Sequence, residues 1–155
     1  MKYIFVILLL FSMVCARAQT YSLTFEELEL LRNKEARPIA VFIYTDWCKY
    51  CAHMKATTFR DEEVINLLNN KFYFTKLNAE QQSPITFNGF YFGYIPTGNE
   101  VGVHQLAKEL GTIRDQLSYP TFVVLNPNLE IIFQYDGFMD KETMRFALEK
   151  LINYK

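Results

Sequence analysis

Pro38-Ile-Ala-Val-Phe-Ile-Tyr44 is an apolar run rich in β-branched and aromatic residues, broken by Thr45-Asp46-Trp47 and followed at once by Cys48-Lys49-Tyr50-Cys51. Such a run, lacking the polar alternation of a half-exposed strand, predicts a β-strand buried on both faces. No Gly or Pro occurs from Cys48 through Thr57, so the cysteine pair is expected to open a helix. A strand buried on both faces needs a layer above and a layer below, and a helix leaving its end must pack back over one of them. Together these features restrict the chain to a layered α/β arrangement with two cysteines at one end of an interior strand.

The remaining patterns fill in those layers. Thr24 and Glu27 stand at capping-box spacing while Phe25, Leu28 and Leu31 recur at helical intervals, which predicts a helix over 24–32. Asp61 to Asn70 reads as a helix with Val64, Leu67 and Leu68 inward, and Phe72 to Ala79 as a second strand. Residues 85–92 are two apolar arms around Asn88-Gly89, the dipeptide that most readily supplies φ > 0 at both centres of a type I′ turn, so a β-hairpin is expected there. Val103, Leu106, Ala107 and Leu110 have the spacing of a helix ended by Gly111. Strands over 121–125 and 130–135, joined by Asn126-Pro-Asn-Leu, precede a closing helix over 140–153 with Met144, Leu148, Leu151 and Ile152 inward. No internal repeat or low-complexity linker divides the chain. The expectation is one α/β domain, a mixed sheet with helices on both faces.

Met1-Lys2, the apolar run Tyr3 to Val14 and Ala16-Arg17-Ala18 have the three parts of a secretory signal peptide. The run is shorter than the roughly 17 to 25 residues that span a bilayer, which weighs against a retained anchor. Residues 1–18 are therefore expected to be removed after Ala18, leaving 19–155 as a secreted or periplasmic domain. A lipidated Cys15 is the alternative, disfavoured by Val14 at a position where the lipoprotein signal has a small residue. Cleavage removes one of the three cysteines and leaves Cys48 and Cys51 in an oxidising compartment.

Sixteen Lys and Arg against 17 Asp and Glu give a net charge of -1, so no basic footprint points to nucleic acid or an anionic membrane surface. Three cysteines are too few for a disulfide scaffold or a four-thiolate zinc site. Two residues between cysteines on one helical turn bring both sulfurs to the same end, where a disulfide forms with little backbone motion. At a helix N-terminus the Cys48 thiolate would face unpaired N–H groups and the positive end of the macrodipole, which lower a cysteine pKa from about 8.5 into roughly the 3.5 to 7.5 range. Cys51, one turn further in, is placed to resolve a mixed disulfide.

A purely stabilising staple is the bland alternative, but so short a loop constrains an unfolded chain by only about 2 kcal/mol. Cys48, Cys51, His53 and Met54 also resemble a soft-metal set, yet at helical spacing they cannot all face one ion, so no metal site is assigned. Nor is a bound cofactor needed, because the cysteine pair itself carries two electrons. A soft-metal chaperone or a redox-inert binding module using the same fold is the competing class of function.

These residues resemble the thioredoxin superfamily. The resemblance rests on strand 38–44, on Asp46-Trp47-Cys48-Lys49-Tyr50-Cys51, on Lys76-Leu77-Asn78, on Tyr119-Pro120-Thr121 before strand 122–125, on Asp136-Gly137-Phe138 and on the final helix. In texture it is similar to exported thioredoxin-like proteins related to the C-terminal domain of the DsbD family, where Thr-Phe and an acidic helix start likewise follow the cysteines, as in Thr58-Phe59-Arg60-Asp61-Glu62-Glu63. The resemblance implies a thiol–disulfide oxidoreductase, with Cys48 and Cys51 catalytic and protein disulfides or thiols as partners. A membrane electron-transfer protein is a candidate redox partner, and a monomer is expected. It also implies that Pro120 is a cis-proline lying against the pair, that the Tyr119 backbone pairs with a substrate strand, and that Trp47 walls the sulfur pocket.

Departures from the pattern are also visible. Thioredoxins proper hold a buried Asp six residues before the first active cysteine, and the matching position here is Phe42; Lys76, which matches the lysine beside that acid, is then expected to be a plain strand-edge lysine. Their Gly-Pro between the cysteines is replaced by Lys49-Tyr50, so a reducing potential is not implied. The stretch 84–110 is also additional to a bare thioredoxin core, and Phe87, Phe90, Tyr91, Phe92 and Tyr94 make it dense in aromatics that either pack onto the scaffold or dock a partner. His104 is expected to be a solvated helix residue.

Overall fold

A computed structural model describes residues 19–152. Helix α1 (Phe25–Arg32) starts at Thr24, whose hydroxyl accepts from the Glu27 N–H while the Glu27 carboxylate accepts from the Thr24 N–H. This reciprocal cap satisfies two helix-end donors that would otherwise be orphaned. Next come β1 (Ile39–Tyr44), α2 (Lys49–Ala56), a 3-10 turn at Thr58–Arg60, and α3 (Glu62–Lys71), which is capped by the Asp61 carboxylate. After β2 (Tyr73–Asn78) the chain makes two hairpins, β3 (Ile85–Phe87) with β4 (Phe90–Phe92) and β5 (Tyr94–Gly98) with β6 (Val101–His104). Helix α4 (Gln105–Gly111) runs into a short ribbon of β7 (Thr112–Ile113) and β8 (Gln116–Leu117). β9 (Thr121–Leu125), β10 (Ile131–Asp136) and α5 (Lys141–Ile152) close the described chain.

The central sheet has the order β10-β9-β1-β2, with β1 and β2 parallel and β9 antiparallel to both of its neighbours. β1 is interior and every residue from Ile39 to Ile43 is buried, as its unbroken apolar run requires. The side-chain period of two splits this strand between two cores. Ile39, Val41 and Ile43 face a cluster with Phe25 and Leu28 of α1, Phe87 of the first hairpin and Leu106 and Leu110 of α4. Ala40 and Phe42 face the other, with Cys51 and Met54 of α2, Val64 and Leu68 of α3 and Met144 and Leu148 of α5. The expected mixed sheet with helices on both faces is thus the architecture found.

Two local expectations need correction, the start of helix α4 and the exposure of His104. Val103 belongs to strand β6 and not to the helix, which begins at Gln105. Its helical spacing from Leu106 is coincidental, since Gly98 and the positive φ of Glu100 turn the chain into a hairpin that the apolar pattern does not announce. The helix ends at Gly111 as expected, and a β-carbon there would lie 2.7 Å from Leu117 Cδ1 and 2.9 Å from Ile43 Cδ1, so this glycine also allows close packing onto the sheet. His104 is fully buried and caps α4, its Nδ1 accepting from the Leu106 N–H at 3.3 Å while its own N–H donates to the Ala79 carbonyl at 2.6 Å. The first hairpin has the expected turn, with Asn88 and Gly89 at φ 53° and 76°. The expected signal peptide and Cys15 lie outside the described residues.

Candidate active site

Because β1 and β2 are parallel and β9 is antiparallel to β1, the ends of β1 and β2 and the beginning of β9 meet at one end of the sheet, with Ile43 opposite both Leu77 and Thr121. The segments that continue from these three points carry Trp47-Cys48, Glu80 and Tyr119-Pro120. Residues far apart in the chain are brought together here by strand order alone.

Cys48 is the N-cap of α2 and its Sγ accepts from the Cys51 N–H at 3.1 Å. A sulfur in this position takes one of the orphan donors of the first turn and sits at the positive end of the helix dipole, an arrangement that favours a thiolate. Cys48 and Cys51 form a disulfide with their Cα atoms 5.2 Å apart. Both are buried, but not equally: Cys48 keeps 5% of its surface exposed and Cys51 none. Of the two residues, Cys48 is therefore the one an incoming group can reach.

Aromatic side chains surround that opening. Trp47 is 67% exposed yet held, its Nε1 donating to Glu80 Oε1 at 2.9 Å and its ring meeting that of Tyr119 edge-on at 6.0 Å. On the other side Phe138 lies 6.4 Å from the exposed Tyr50 ring and 5.1 Å from the His53 ring. Burial, with the nearby Glu80 charge added, pushes the Tyr119 hydroxyl up to about 12, so it stays protonated at any physiological pH. The Glu80 N–H donates to Asn78 Oδ1, and Asn78 Nδ2 donates to Asp46 Oδ2, so a polar chain ties the loop before Cys48 to the end of β2. The Tyr119–Pro120 peptide bond is cis, and Pro120 is buried at the entry to β9.

Beneath the pair, Phe42 is fully buried, stacks on Tyr44 and meets Phe59 edge-on, so its position holds an aromatic ring and no carboxylate. Lys76 lies opposite Phe42 on β2, the edge strand, and is half-buried, which lowers its pKa. Among the described residues no cluster of three His, Cys, Asp or Glu side chains is placed to hold a metal ion.

The structure thus brings Trp47, Cys48, Cys51, Tyr119 and Pro120, the residues singled out in the sequence, to one end of the sheet. Three further members were not singled out: Glu80, Tyr50 and Phe138. Tyr50 lies between the cysteines, and Phe138 ends the Asp136-Gly137-Phe138 stretch already quoted for the resemblance, so both had a visible signal. Glu80 had none, since only the strand order places it beside Trp47.

A family model described as a thioredoxin-like domain matches residues 24–152. No curated protein sequence matches the chain. Among solved structures the chain is similar to a DsbH oxidoreductase, at 12% identity and a TM-score of 0.62 over 93% of this chain and 92% of that one. It is also similar to a thioredoxin from Thermus thermophilus, at 19% identity and 0.59 over 88% of each chain. A third is the oxidised C-terminal domain of DsbD from Neisseria meningitidis, at 16% identity and 0.52 over 81% of this chain and 87% of that one. At these identities the likeness is one of fold.

Proposed function

The chain belongs to the thioredoxin-like family, and we propose that it is a thiol–disulfide oxidoreductase that works on protein thiols and disulfides outside the cytoplasm. The observation that carries this is the asymmetry of the pair: Cys48 caps the helix and is the accessible sulfur, while Cys51 is sealed one turn further in. In the reducing direction the Cys48 thiolate attacks a client disulfide, forming a mixed disulfide and expelling one client thiolate. The Cys51 thiolate then attacks Cys48 Sγ, closing the pair and releasing the second client thiolate. Two electrons pass to the client and the pair is left oxidised; the reverse sequence hands the disulfide on.

Trp47, Tyr119 and Pro120 form the docking surface in this reading, with the Tyr119 backbone beside the client strand. The export pattern at residues 1–18 supports the location, since it would leave the pair in a compartment where disulfides persist. The partners are client proteins and a protein that resets the pair, for which a membrane electron-transfer protein is the candidate.

Cys51→Ser tests the mechanism. Incubated with a disulfide-bonded protein, this variant should accumulate a mixed disulfide through Cys48, and the double variant with Cys48→Ser should accumulate none. Intact mass of the exported protein tests the location: a mature chain starting at Gln19 is expected, and an acylated species starting at Cys15 would replace the soluble form with a lipoprotein.

A further inference from the structure

Away from the docking surface, at the edge of the sheet, a pocket of about 270 Å³ is lined by Lys55, Arg60, Lys76, Phe59, Gln19 and Thr20. That volume holds several waters at about 30 Å³ each. Its three cations come from three elements, the last turn of α2, the 3-10 turn and strand β2. Among the described residues none of the three has a carboxylate within ion-pairing distance, and none donates a side-chain hydrogen bond, although the chain forms ion pairs elsewhere, as between Lys141 and Asp61 at 3.7 Å. The Lys55 ammonium rests on the face of the Tyr44 ring at 3.4 Å.

The cations also act on one another. Lys76 lowers the pKa of Lys55 and Arg60 lowers that of Lys76, on top of the larger effect of burial on each. Asp46 is the one carboxylate that acts on Lys55, from beyond ion-pair distance, and it already accepts from Asn78 at 2.9 Å. Two partly desolvated lysines and an exposed arginine against one engaged acid leave a local cationic surplus in a chain whose net charge is -1. Such an arrangement is unfavourable for the folded protein alone and marks a place built for a ligand.

The pocket's outer wall is fixed as well. The Asn69 amide accepts from the Tyr21 N–H at 2.9 Å and donates to the Gln19 carbonyl at 2.9 Å, so Thr20 is clamped from both sides. A rigid wall facing a row of cations is what keeps a small anion in place at low entropic cost.

We propose that this pocket binds a small divalent oxyanion of the phosphate or sulfate type, held by Lys55, Arg60 and Lys76. The charge of a dianion opposes this surplus, and its oxygens can accept from both ammonium groups and the guanidinium at once. The site is separate from the disulfide and stands whether or not the pair exchanges with clients.

The test is a titration of the mature protein with inorganic phosphate at constant ionic strength, followed by the NMR shifts of the lysine Cε–Hε groups and by thermal unfolding. Saturable shifts at Lys55 and Lys76, a rise in the Lys76 pKa and a rise in Tm are expected, none of them reproduced by chloride. Lys55→Met or Lys76→Met should weaken phosphate binding about tenfold or more. Because each removes mutual repulsion, each should leave the anion-free protein as stable as the wild type, which a merely structural lysine would not. Equal responses to phosphate and chloride in the wild type, or undiminished phosphate affinity in both variants, would overturn the assignment. The first comparison needs no variant to fold.

Discussion

Two groups of exposed aromatic rings lie on this molecule, and they are held differently. Around the disulfide, Trp47 is fixed by a hydrogen bond to Glu80 and an edge-on contact with Tyr119, and Tyr50 leans toward Phe138. On the added hairpin, Phe90 and Tyr91 are as exposed as Trp47, but no side-chain hydrogen bond or ring contact holds either one among the described residues. Exposure by itself does not separate a working surface from an incidental one. Anchoring distinguishes the two sets: ordering an exposed ring costs side-chain entropy, which at Trp47 a hydrogen bond and an edge-on contact offset and at Phe90 and Tyr91 neither does.

The sharpest way to break this comparison is to remove function from one region and leave the other intact. Cys48→Ser should reduce turnover of a disulfide-bonded protein substrate by at least about a thousandfold, the scale expected when a covalent nucleophile is lost. The double variant Phe90→Ala with Tyr91→Ala should stay within about twofold of wild type in the same assay, since surface truncations away from a site change free energies by about 0.5 kcal/mol or less. A large loss in the hairpin variant would make that region part of the docking surface.

A second contrast lies within the hairpin itself. Phe87 is buried and meets Phe25 edge-on at 5.4 Å, so Phe87→Ala should cost about 3 kcal/mol or more in denaturant unfolding. Phe90→Ala, its cross-strand neighbour on the outside, should cost less than about 0.5 kcal/mol. The hairpin would then be anchored by one ring and not by its whole aromatic content.

The cap of α4 adds a pH dependence. His104 accepts a hydrogen bond through Nδ1 and burial pushes its pKa down, with the Ser83 backbone opposing weakly; Nε2 makes no hydrogen bond of normal geometry. The unfolded chain takes up a proton below about pH 6.5 while the folded chain resists, so stability is full above that value and falls as pH drops toward the folded pKa. The slope is at most about 1.4 kcal/mol per pH unit for this group. His104→Asn retains a cap acceptor and should flatten it, as unfolding free energies measured across mildly acidic pH would show.

The smallest effect concerns Glu80. Glu80→Ala frees the Trp47 indole and should slow exchange by about fivefold at most, the value of one ordinary hydrogen bond. It should also bring the Tyr119 hydroxyl down somewhat from about 12 in an ultraviolet titration, with most of the elevation remaining because burial is its larger cause. Glu80→Gln should lower that pKa while keeping the indole anchored.

What the sequence reveals divides along the same line as the two regions. The capping box at Thr24, the unbroken strand before Cys48 and the Asn88-Gly89 turn are local signals, each set by a few neighbouring residues, and each appears where its pattern places it. The hairpin of β5 and β6 has no such signal: its residues are mostly exposed, so no apolar alternation marks the strands, and Val103 mimics a helical position. The burial of His104 and the contact between Glu80 and Trp47 depend on pairing across long stretches of chain. The hydrogen bond from Trp47 to Glu80 spans 33 residues, and only the order of strands creates it.

The central claim is that Cys48 is the attacking sulfur and Cys51 the resolving one. Alkylation of the reduced protein as a function of pH, read residue by residue by mass spectrometry, tests it most directly. Cys48 should react first, with a midpoint well below the ordinary thiol value of about 8.5, while Cys51 stays protected in the folded protein. Faster modification of Cys51, or two indistinguishable profiles with ordinary thiol midpoints, would contradict the account.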